Sequence, residues 1–304
     1  MKVQRLEASF GIPQALRFEK TDSGLIRAQI MARSCSATVY LQGAHLTHWQ
    51  PTGAQPVLFT SQRSRYAVGE AIRGGVPVIF PWFGAYRGAK RPGVDYPKHG
   101  FARTIEWELR SAREHEGAIE LVFHLGPSDL SREVGYDSFS LDYTMRLGES
   151  LQMELAVQNN GSEPLSFEEA LHSYFAVSDI QRTAVDGLAG AQYLDNTDGL
   201  AMKRQAEPVL HIAGSTDSIY TGTGATCTLR DEAGMRAIHI AKEGSQTTVV
   251  WNPWKELTAT LPDLAPDDWQ RYLCVETANA WADAVVLAPG ARHTMRAVIT
   301  LSQL

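Results

Sequence analysis

The sequence has few cysteines and no long hydrophobic run. Its three cysteines, Cys35, Cys227 and Cys274, are odd in number and far apart, so they form neither a disulfide framework nor a Cys-x-x-Cys metal motif. No segment approaches the roughly 20 apolar residues that cross a bilayer, and the first residues lack the apolar segment of a signal peptide. We therefore expect a cytoplasmic protein without a membrane partner.

An excess of positive charge is also lacking. The formal net charge is −6 and the isoelectric point is near 5.9. Proteins that bind nucleic acid usually carry a basic face and have a high isoelectric point, so we expect no nucleic-acid partner. An anionic small molecule would need a local basic pocket on a chain of this charge.

Several motifs of common enzyme classes are missing. The segment GTGATC begins as Gly-x-Gly but lacks the third glycine and the following helix of a dinucleotide-binding fingerprint, and there is no Walker phosphate loop. Neither a Gly-x-Ser-x-Gly nucleophile elbow nor a His-Glu-x-x-His zinc motif occurs. We expect an activity that uses no cofactor and no metal.

What the sequence does contain is a series of short strand patterns. Residues 139–147 and 151–157 alternate apolar and polar side chains around the turn GES, which predicts an antiparallel hairpin, and IEWELRSAREHEGAIELVFHLG predicts another. Helical periodicity is almost absent. With no composition shift and no repeat, this indicates an all-β fold, a large antiparallel β-sandwich, as a single domain over residues 1–304.

One segment, Ala71–Arg103, is dense in glycine, proline and basic residues. Paired glycines and prolines do not suit a central strand, so we predict a long shaped loop around short extended pieces. Arg73 and Arg103 lie beside glycines and aromatic residues, where a guanidinium group needs an anionic partner. We interpret the remaining arginine and lysine positions of its middle part as a solvated charged surface: Arg87, Lys90 and Arg91.

Two titratable residues lie in apolar strand patterns. His172 is central in SFEEALHSYFAVSDI, and Glu276 is central in YLCVETANA. A histidine in such a strand is often only structural, but a buried carboxyl group close to it would complete a proton-transfer pair. His45 and His48 are three residues apart in another strand pattern, which directs them to opposite faces. We interpret them as structural or surface residues rather than as metal ligands.

Six segments occur in one order and spacing: AIRGGVPVIFPWFG, HGFAR, EEALHSYFAVSDI, STDSIY, VVWNPW and CVETAN. This series resembles the hexose-6-phosphate mutarotases, or glucose-6-phosphate 1-epimerases, of the aldose 1-epimerase superfamily, from about Gln42 to the C-terminus. The resemblance implies a β-sandwich of the galactose mutarotase type. It also implies cofactor-free interconversion of the α and β anomers of a small-molecule partner, a hexose 6-phosphate.

The resemblance places His172 on the catalytic histidine of the family and Glu276 on its catalytic glutamate. It places substrate-binding positions on Arg73, Arg103 and Asp217. The residue types suit the reaction, because Glu276 as base can take the proton of the anomeric hydroxyl while His172 as acid protonates the ring oxygen. The ring opens to the aldehyde, the bond next to the carbonyl rotates, and the two residues reverse their roles to close the ring.

Three of these positions leave alternatives open. Lys98 stands where family members often have glutamine, so it either adds charge to a phosphate site or points to solvent. His99 either lines the site or packs beneath the loop, and Asp217 either accepts a sugar hydroxyl or forms a turn.

Two other functions compete with the epimerase. A noncatalytic sugar-phosphate sensor has no need for an acid and a base together, and a glycoside hydrolase typically uses two carboxyl groups. We expect a monomeric enzyme.

Overall fold

Antiparallel strands are the main secondary structure of the computed structural model, which describes all residues, Met1–Leu304. The strands are β1 (Leu16–Lys20), β2 (Ile26–Met31), β3 (Cys35–Tyr40), β4 (His45–Pro51), β5 (Val78–Ile79), β6 (Glu108–His115), β7 (Ala118–Leu125), β8 (Phe139–Leu147), β9 (Leu151–Asn159), β10 (Leu165–Phe167), β11 (Glu169–Leu171), β12 (Tyr174–Ala176), β13 (Thr183–Asp186), β14 (Gln192–Asp195), β15 (Ala201–Arg204), β16 (Val209–His211), β17 (Thr216–Tyr220), β18 (Cys227–Asp231), β19 (Arg236–Glu243), β20 (Thr247–Asn252), β21 (Tyr272–Asn279), β22 (Val285–Leu287) and β23 (Arg292–Gln303).

The helices are short. The α-helices are α1 (Lys2–Phe10), α2 (Asp129–Glu133) and α3 (Trp254–Thr258), and single 3₁₀ turns cover Ile180–Arg182, Asn196–Asp198, Asp268–Gln270 and Trp281–Asp283. The strand patterns did not predict α1, because it is nine residues long and buries only Leu6, which is too little for a helical period to show. None of the helices has the length and apolar character that a membrane crossing requires.

Two large sheets share the main core. One has nine strands in the order β16-β13-β18-β19-β23-β9-β8-β7-β6, and the other has the order β15-β14-β17-β20-β21-β11-β5, with β12 also paired to β21. Tyr143 and Leu155 of the first sheet belong to the same buried cluster as Leu273 and Val275 of the second. The predicted all-β antiparallel sandwich is confirmed, since apolar faces of two sheets enclose one core. Smaller sheets, β1-β2-β3-β4 and β10-β22, complete the fold.

The two predicted hairpins are confirmed. β8 pairs with β9 from Phe139 opposite Asn159 to Leu147 opposite Leu151, and every second residue of β8 is buried. β6 pairs with β7 in the other hairpin. The alternation is visible in the sequence because these strands bury one face and leave the other partly open.

The segment Ala71–Arg103 is the predicted shaped loop, with β5 as its only strand. Gly75 has a positive φ of 64°, and a Cβ atom there would lie 2.2 Å from the carbonyl oxygen of Leu46. Gly100, with φ of 72°, would bring a Cβ atom to 2.0 Å from the carbonyl oxygen of Phe80. Only glycine permits such close backbone approaches, so Gly75 brings the loop against β4 and Gly100 brings two parts of the loop together.

The two histidines of β4 have the structural roles that the sequence predicted. His45 is buried, and its Nε2 atom lies 2.7 Å from the carbonyl oxygen of Gly74. Burial lowers the pKa of His45 to about 4, so it stays neutral. His48 is only partly buried and its ring contacts the hydroxyl of Ser36.

Candidate active site

His172 lies in the two-residue break between β11 and β12. The prediction of a continuous strand was wrong here, because the backbone N–H of His172 donates to the carbonyl oxygen of Pro77 and so leaves the β11–β21 ladder. Pairing with β21 resumes at Tyr174. The imidazole is buried and stacks on the Tyr174 ring at a centroid distance of 4.8 Å and an angle of 10°. The loop therefore fixes the backbone of His172, and Tyr174 fixes the plane of its ring.

Glu276 lies in the middle of β21, opposite Val249 of β20. All eight residues of β21 are buried, so the strand has no solvent face. Leu273 and Val275 point into the main core. Successive side chains alternate, so Glu276 points to the other face of the sheet, where β20 and β17 contribute further side chains. The Nδ1 atom of His172 lies 3.3 Å from its Oε1 atom.

Burial controls the protonation of this pair. It lowers the pKa of His172 well below the ordinary value of 6.5, and the positive charges of Arg103 and Arg73 lower it further. Burial, with the negative charge of Asp217, raises the pKa of Glu276 well above its ordinary 4.5. Both groups thus favour the uncharged form, in which the pair holds one proton, on the carboxyl group.

The pair lies at a cavity of about 320 Å³. Five of the predicted site residues line this cavity together: Lys98, His99, His172, Asp217 and Glu276. Residues from a loop, a strand break and two strands therefore meet although they are distant in the chain. The structure contains no group of three His, Cys, Asp or Glu side chains placed to hold a metal ion.

Asp217 lies within β17, so the turn alternative for this residue is wrong. Its Oδ2 atom accepts a hydrogen bond of 2.7 Å from the Nδ2 atom of Asn196, which also lines the cavity. Burial raises the pKa of Asp217. The amide of Asn196 leaves carboxylate lone pairs of Asp217 free to accept a hydroxyl proton of a ligand.

His99 has both of the roles that the sequence left open, and Lys98 lies at the edge of the same cavity. His99 is buried and lines the cavity, with its ring edge-on to His172 at 5.5 Å, and its Nδ1 atom accepts from the backbone N–H of Gly84 at 3.1 Å. It therefore both lines the site and holds the loop. Lys98 is exposed at the cavity wall and forms no ion pair. Partial burial, together with the positive charges of Arg103 and Arg73, lowers the pKa of Lys98.

Arg87 is exposed, as the sequence predicted, but it also makes specific contacts with a tryptophan ring and a carboxylate. Its guanidinium carbon lies 4.1 Å from the ring centroid of Trp281, and it pairs with the buried carboxylate of Glu168. Glu168 also accepts hydrogen bonds from the backbone N–H groups of Phe83 and Trp281. These contacts join two loops into one wall of the cavity, and a sequence pattern gives no sign of a pairing between residues so far apart in the chain.

Arg73 and Arg103 line a neighbouring cavity of about 400 Å³ rather than the one at His172. Arg73 forms an ion pair with Asp263, and its Nη1 atom donates to the hydroxyl of Tyr174 at 3.1 Å. Arg103 donates from Nη2 to the carbonyl oxygen of Lys98 at 2.8 Å, and its Nε atom is buried without a partner. Burial and the charge of Arg73 lower the pKa of Arg103 to about 10. Arg73 therefore has an anionic partner within the protein, whereas Arg103 has none.

Comparison with known proteins identifies the family. The profile described as aldose 1-epimerase matches residues 28–300. The chain belongs to the aldose 1-epimerase family. A candidate glucose-6-phosphate 1-epimerase of Escherichia coli (strain K12) is 34% identical over 244 residues, covering 80% of each chain. One of Cenchrus ciliaris is 29% identical over 283 residues, which is 89% of this chain and 83% of the relative.

The solved structures agree with the predicted galactose mutarotase type of sandwich. The crystal structure of a candidate mutarotase from Salmonella typhimurium superposes with a TM-score of 0.88 at 27% identity, over 100% of both chains. This aldose epimerase is therefore an isomerase that interconverts sugar anomers. The resemblance found in the six sequence segments is confirmed at the level of family, fold and reaction class.

Proposed function

We propose that this enzyme interconverts the α and β anomers of hexose 6-phosphates. The observation that carries the proposal is the His172–Glu276 pair at 3.3 Å in a cavity whose neighbourhood holds two cations without an ion-pair partner, Lys98 and Arg103. The pair supplies the two proton transfers of mutarotation, and the cations supply attraction for a phosphate.

In the proposed mechanism Glu276 takes the proton of the anomeric hydroxyl and His172 gives a proton to the ring oxygen. The pair needs one proton in total, because each step removes one proton and adds one. After ring opening, the proton is on Glu276 and His172 is neutral, which is also the resting form of the pair. From this state the two residues reverse their roles and close the ring. The positive charges of Lys98 and Arg103 lower the pKa of Glu276 against the effect of burial, which brings the carboxylate form of the base within reach.

Asp217 is proposed to accept a hydroxyl proton of the sugar. Trp251 and Trp281 line the same cavity and offer apolar faces to a pyranose ring. With His99 behind the imidazole, these side chains hold the sugar with its anomeric carbon at the catalytic pair. Orientation of this kind contributes to rate because the reacting groups no longer need to be brought together during the reaction.

The phosphate is proposed to lie between the two cavities, against Arg103 and Arg73 and within reach of Lys98. A phosphate monoester carries about −1.5 to −2 charge near neutral pH. A net-negative protein repels such a ligand unless cations meet it locally. Arg103 is the strongest candidate, since it is a partly buried cation with an unpaired Nε atom and no carboxylate partner.

The test is anomer exchange measured by NMR exchange spectroscopy on glucose 6-phosphate, galactose 6-phosphate and free glucose, with the spontaneous rate subtracted. We expect enzyme-dependent exchange with kcat/KM higher for the phosphosugars than for glucose. Binding without exchange on any of the three would indicate a sensor and overturn the catalytic proposal. Equal kcat/KM for glucose and glucose 6-phosphate would overturn the phosphate site alone.

A further inference from the structure

Asp263 forms a bidentate ion pair with Arg73 that the sequence did not predict. The Nε atom of Arg73 donates to Oδ2 of Asp263 at 2.9 Å, and its Nη2 atom donates to Oδ1 at 3.2 Å. The third nitrogen, Nη1, donates to the hydroxyl of Tyr174. A guanidinium group held at all three nitrogens has a fixed plane and a fixed position.

The segment that carries Asp263 is itself anchored. It follows α3, and the neighbouring side chain of Leu264 is buried in a cluster with Tyr174 and Tyr272. The side chains of Arg73 and Asp263 are 22% and 25% exposed, so the ion pair lies at the wall of the arginine-lined cavity. The carboxylate therefore has a rigid base from which to hold Arg73.

The two arginines of this cavity differ in how they are held. Arg103 has no carboxylate partner, whereas Arg73 has a two-point one. Arg73 still has N–H groups that these contacts do not use, because a guanidinium carries five donors. A carboxylate that fixes the guanidinium in advance removes the cost of ordering a long side chain when an anion binds.

We propose that Asp263 is a positioning residue, which holds Arg73 beside Arg103 so that the phosphate of the sugar meets two oriented guanidinium groups. This inference rests on the proposed function. It also joins phosphate recognition to the catalytic centre, since Tyr174 contacts Arg73 through its hydroxyl and His172 through its ring.

The experiment compares Asp263→Asn with the wild-type enzyme on glucose 6-phosphate and on free glucose. Asparagine has almost the same shape but loses the charge that pairs with Arg73. We expect kcat/KM for glucose 6-phosphate to fall about 10-fold, mainly through KM, as for the loss of one charge-assisted hydrogen bond. The value for glucose should change less than about 2-fold, because glucose has no phosphate to place.

Two further variants separate positioning from general damage. Asp267→Asn removes an exposed carboxylate from the same segment and should leave both substrates unaffected. In an Arg73→Lys background, Asp263→Asn should lower kcat/KM for glucose 6-phosphate much less than it does in the wild-type enzyme, because Asp263 acts through the guanidinium group of Arg73. Asp263→Glu keeps the charge and should restore part of the activity, which tests the idea even if the asparagine variant does not fold.

The outcomes also separate this inference from the proposed function. If the wild-type enzyme exchanges glucose 6-phosphate no better than glucose, the phosphate site itself is wrong. If the wild-type enzyme prefers the phosphosugar but Asp263→Asn affects both sugars equally, or has no effect, Asp263 does not position Arg73. A lower KM for glucose 6-phosphate in the variant would show that Asp263 competes with the phosphate, which also overturns the inference.

Discussion

The Nδ1 atom of His172 lies 3.3 Å from the Oε1 atom of Glu276, and no hydrogen bond within the protein engages that nitrogen or the other carboxyl oxygen of Glu276. A buried polar atom without a hydrogen-bond partner lowers the stability of the fold, because it has lost its hydration without gaining a replacement. In the proposed mechanism, the anomeric hydroxyl and the ring oxygen of the substrate supply partners for these two atoms. Hydrogen bonds from a bound sugar would therefore offset the cost of burying these two polar atoms.

Removal of either member of the pair should abolish most of the activity. We expect His172→Asn and Glu276→Gln each to lower kcat by about 100-fold or more, which is the usual contribution of one general acid or base. Anomer exchange followed by NMR measures this, and circular dichroism checks that the fold survives. Exchange close to the wild-type rate in either folded variant would refute the assignment of that residue.

The pH dependence of kcat should show the shifted pKa values of the pair. The pKa of His172 is lowered from 6.5 and that of Glu276 is raised from 4.5, both by burial first. The one-proton pair therefore stays intact as the pH falls through 6.5, and it is lost at alkaline pH when Glu276 ionises. We expect kcat to stay level through pH 6.5 and to fall on the alkaline side.

Saturating free glucose is the substrate for this profile, because a sugar phosphate titrates near pH 6 by itself. The rate with His172→Asn gives the background of uncatalysed exchange at each pH. An acidic decline centred near the ordinary histidine value of 6.5 would show that His172 is not shielded as the structure indicates.

Arg103 should distinguish a phosphosugar from a free sugar. A hydrogen bond to a charged group contributes about 1.5–3 kcal/mol, so Arg103→Ala should lower kcat/KM for glucose 6-phosphate by roughly 10–150-fold. Free glucose should be affected much less. Arg65, an exposed arginine at the same cavity, provides the control, and Arg65→Ala should have little effect. An equal loss on both sugars would mean that Arg103 supports the fold or the chemistry instead.

Lys98 should contribute through long-range charge rather than through a fixed contact. It is exposed, forms no ion pair and lines the catalytic cavity. We expect Lys98→Gln to lower kcat/KM for glucose 6-phosphate by less than about 10-fold, and less at high salt, which screens exposed charges. Lys90→Gln on the same loop is the matched control. A salt-independent effect, or none, would place Lys98 outside the phosphate site.

The stability of the fold should depend on His293. Its Nε2 atom lies 3.0 Å from Oε1 of the fully buried Glu169, and this hydrogen bond raises the pKa of His293. A raised pKa means that the contribution to stability is full below the unfolded value near 6.5 and is lost as the pH rises through the folded value. We expect His293→Gln to lower the free energy of unfolding by about 1–3 kcal/mol at pH near 6 and by much less near pH 9.

Urea unfolding at the two pH values measures this difference. His115→Gln, which changes an exposed histidine of β6, should have little effect at either pH. A loss of stability in His293→Gln that is the same at both values would mean that the ring contributes by packing alone.

Strands with one buried face could be predicted more fully from the sequence than strands with two buried faces. β8 and β9 show their alternation directly, whereas β21 is apolar throughout, and its pattern cannot say that Glu276 faces a cavity while Val275 faces the core. The family resemblance supplied that information. The break in the strand at His172 was not predicted, because it results from a hydrogen bond to Pro77, a residue of a distant loop.

Side chains that complete the site from loops were the hardest to predict. Asn196 lies in a single 3₁₀ turn, and Arg87 is one of several basic residues in a polar loop. Their importance depends on partners far along the chain, Asp217 for the first and Trp281 for the second. Local patterns carry no signal for such pairings. Asp263 was not predicted as a site residue for the same reason, because its proposed role depends on its ion pair with Arg73.

The absence of any solvent-facing residue in β21 limits how this enzyme can be redesigned. A substitution there disturbs either the hydrophobic interior or the wall that carries the base, so a mutant library spread over residues 272–279 should yield few folded members. Diversity is better placed at Asn196, Trp251 and Trp281, which line the cavity at the His172–Glu276 pair and are not fully buried. New sugar preferences should therefore be found by randomising these positions while the strand that bears Glu276 is kept unchanged.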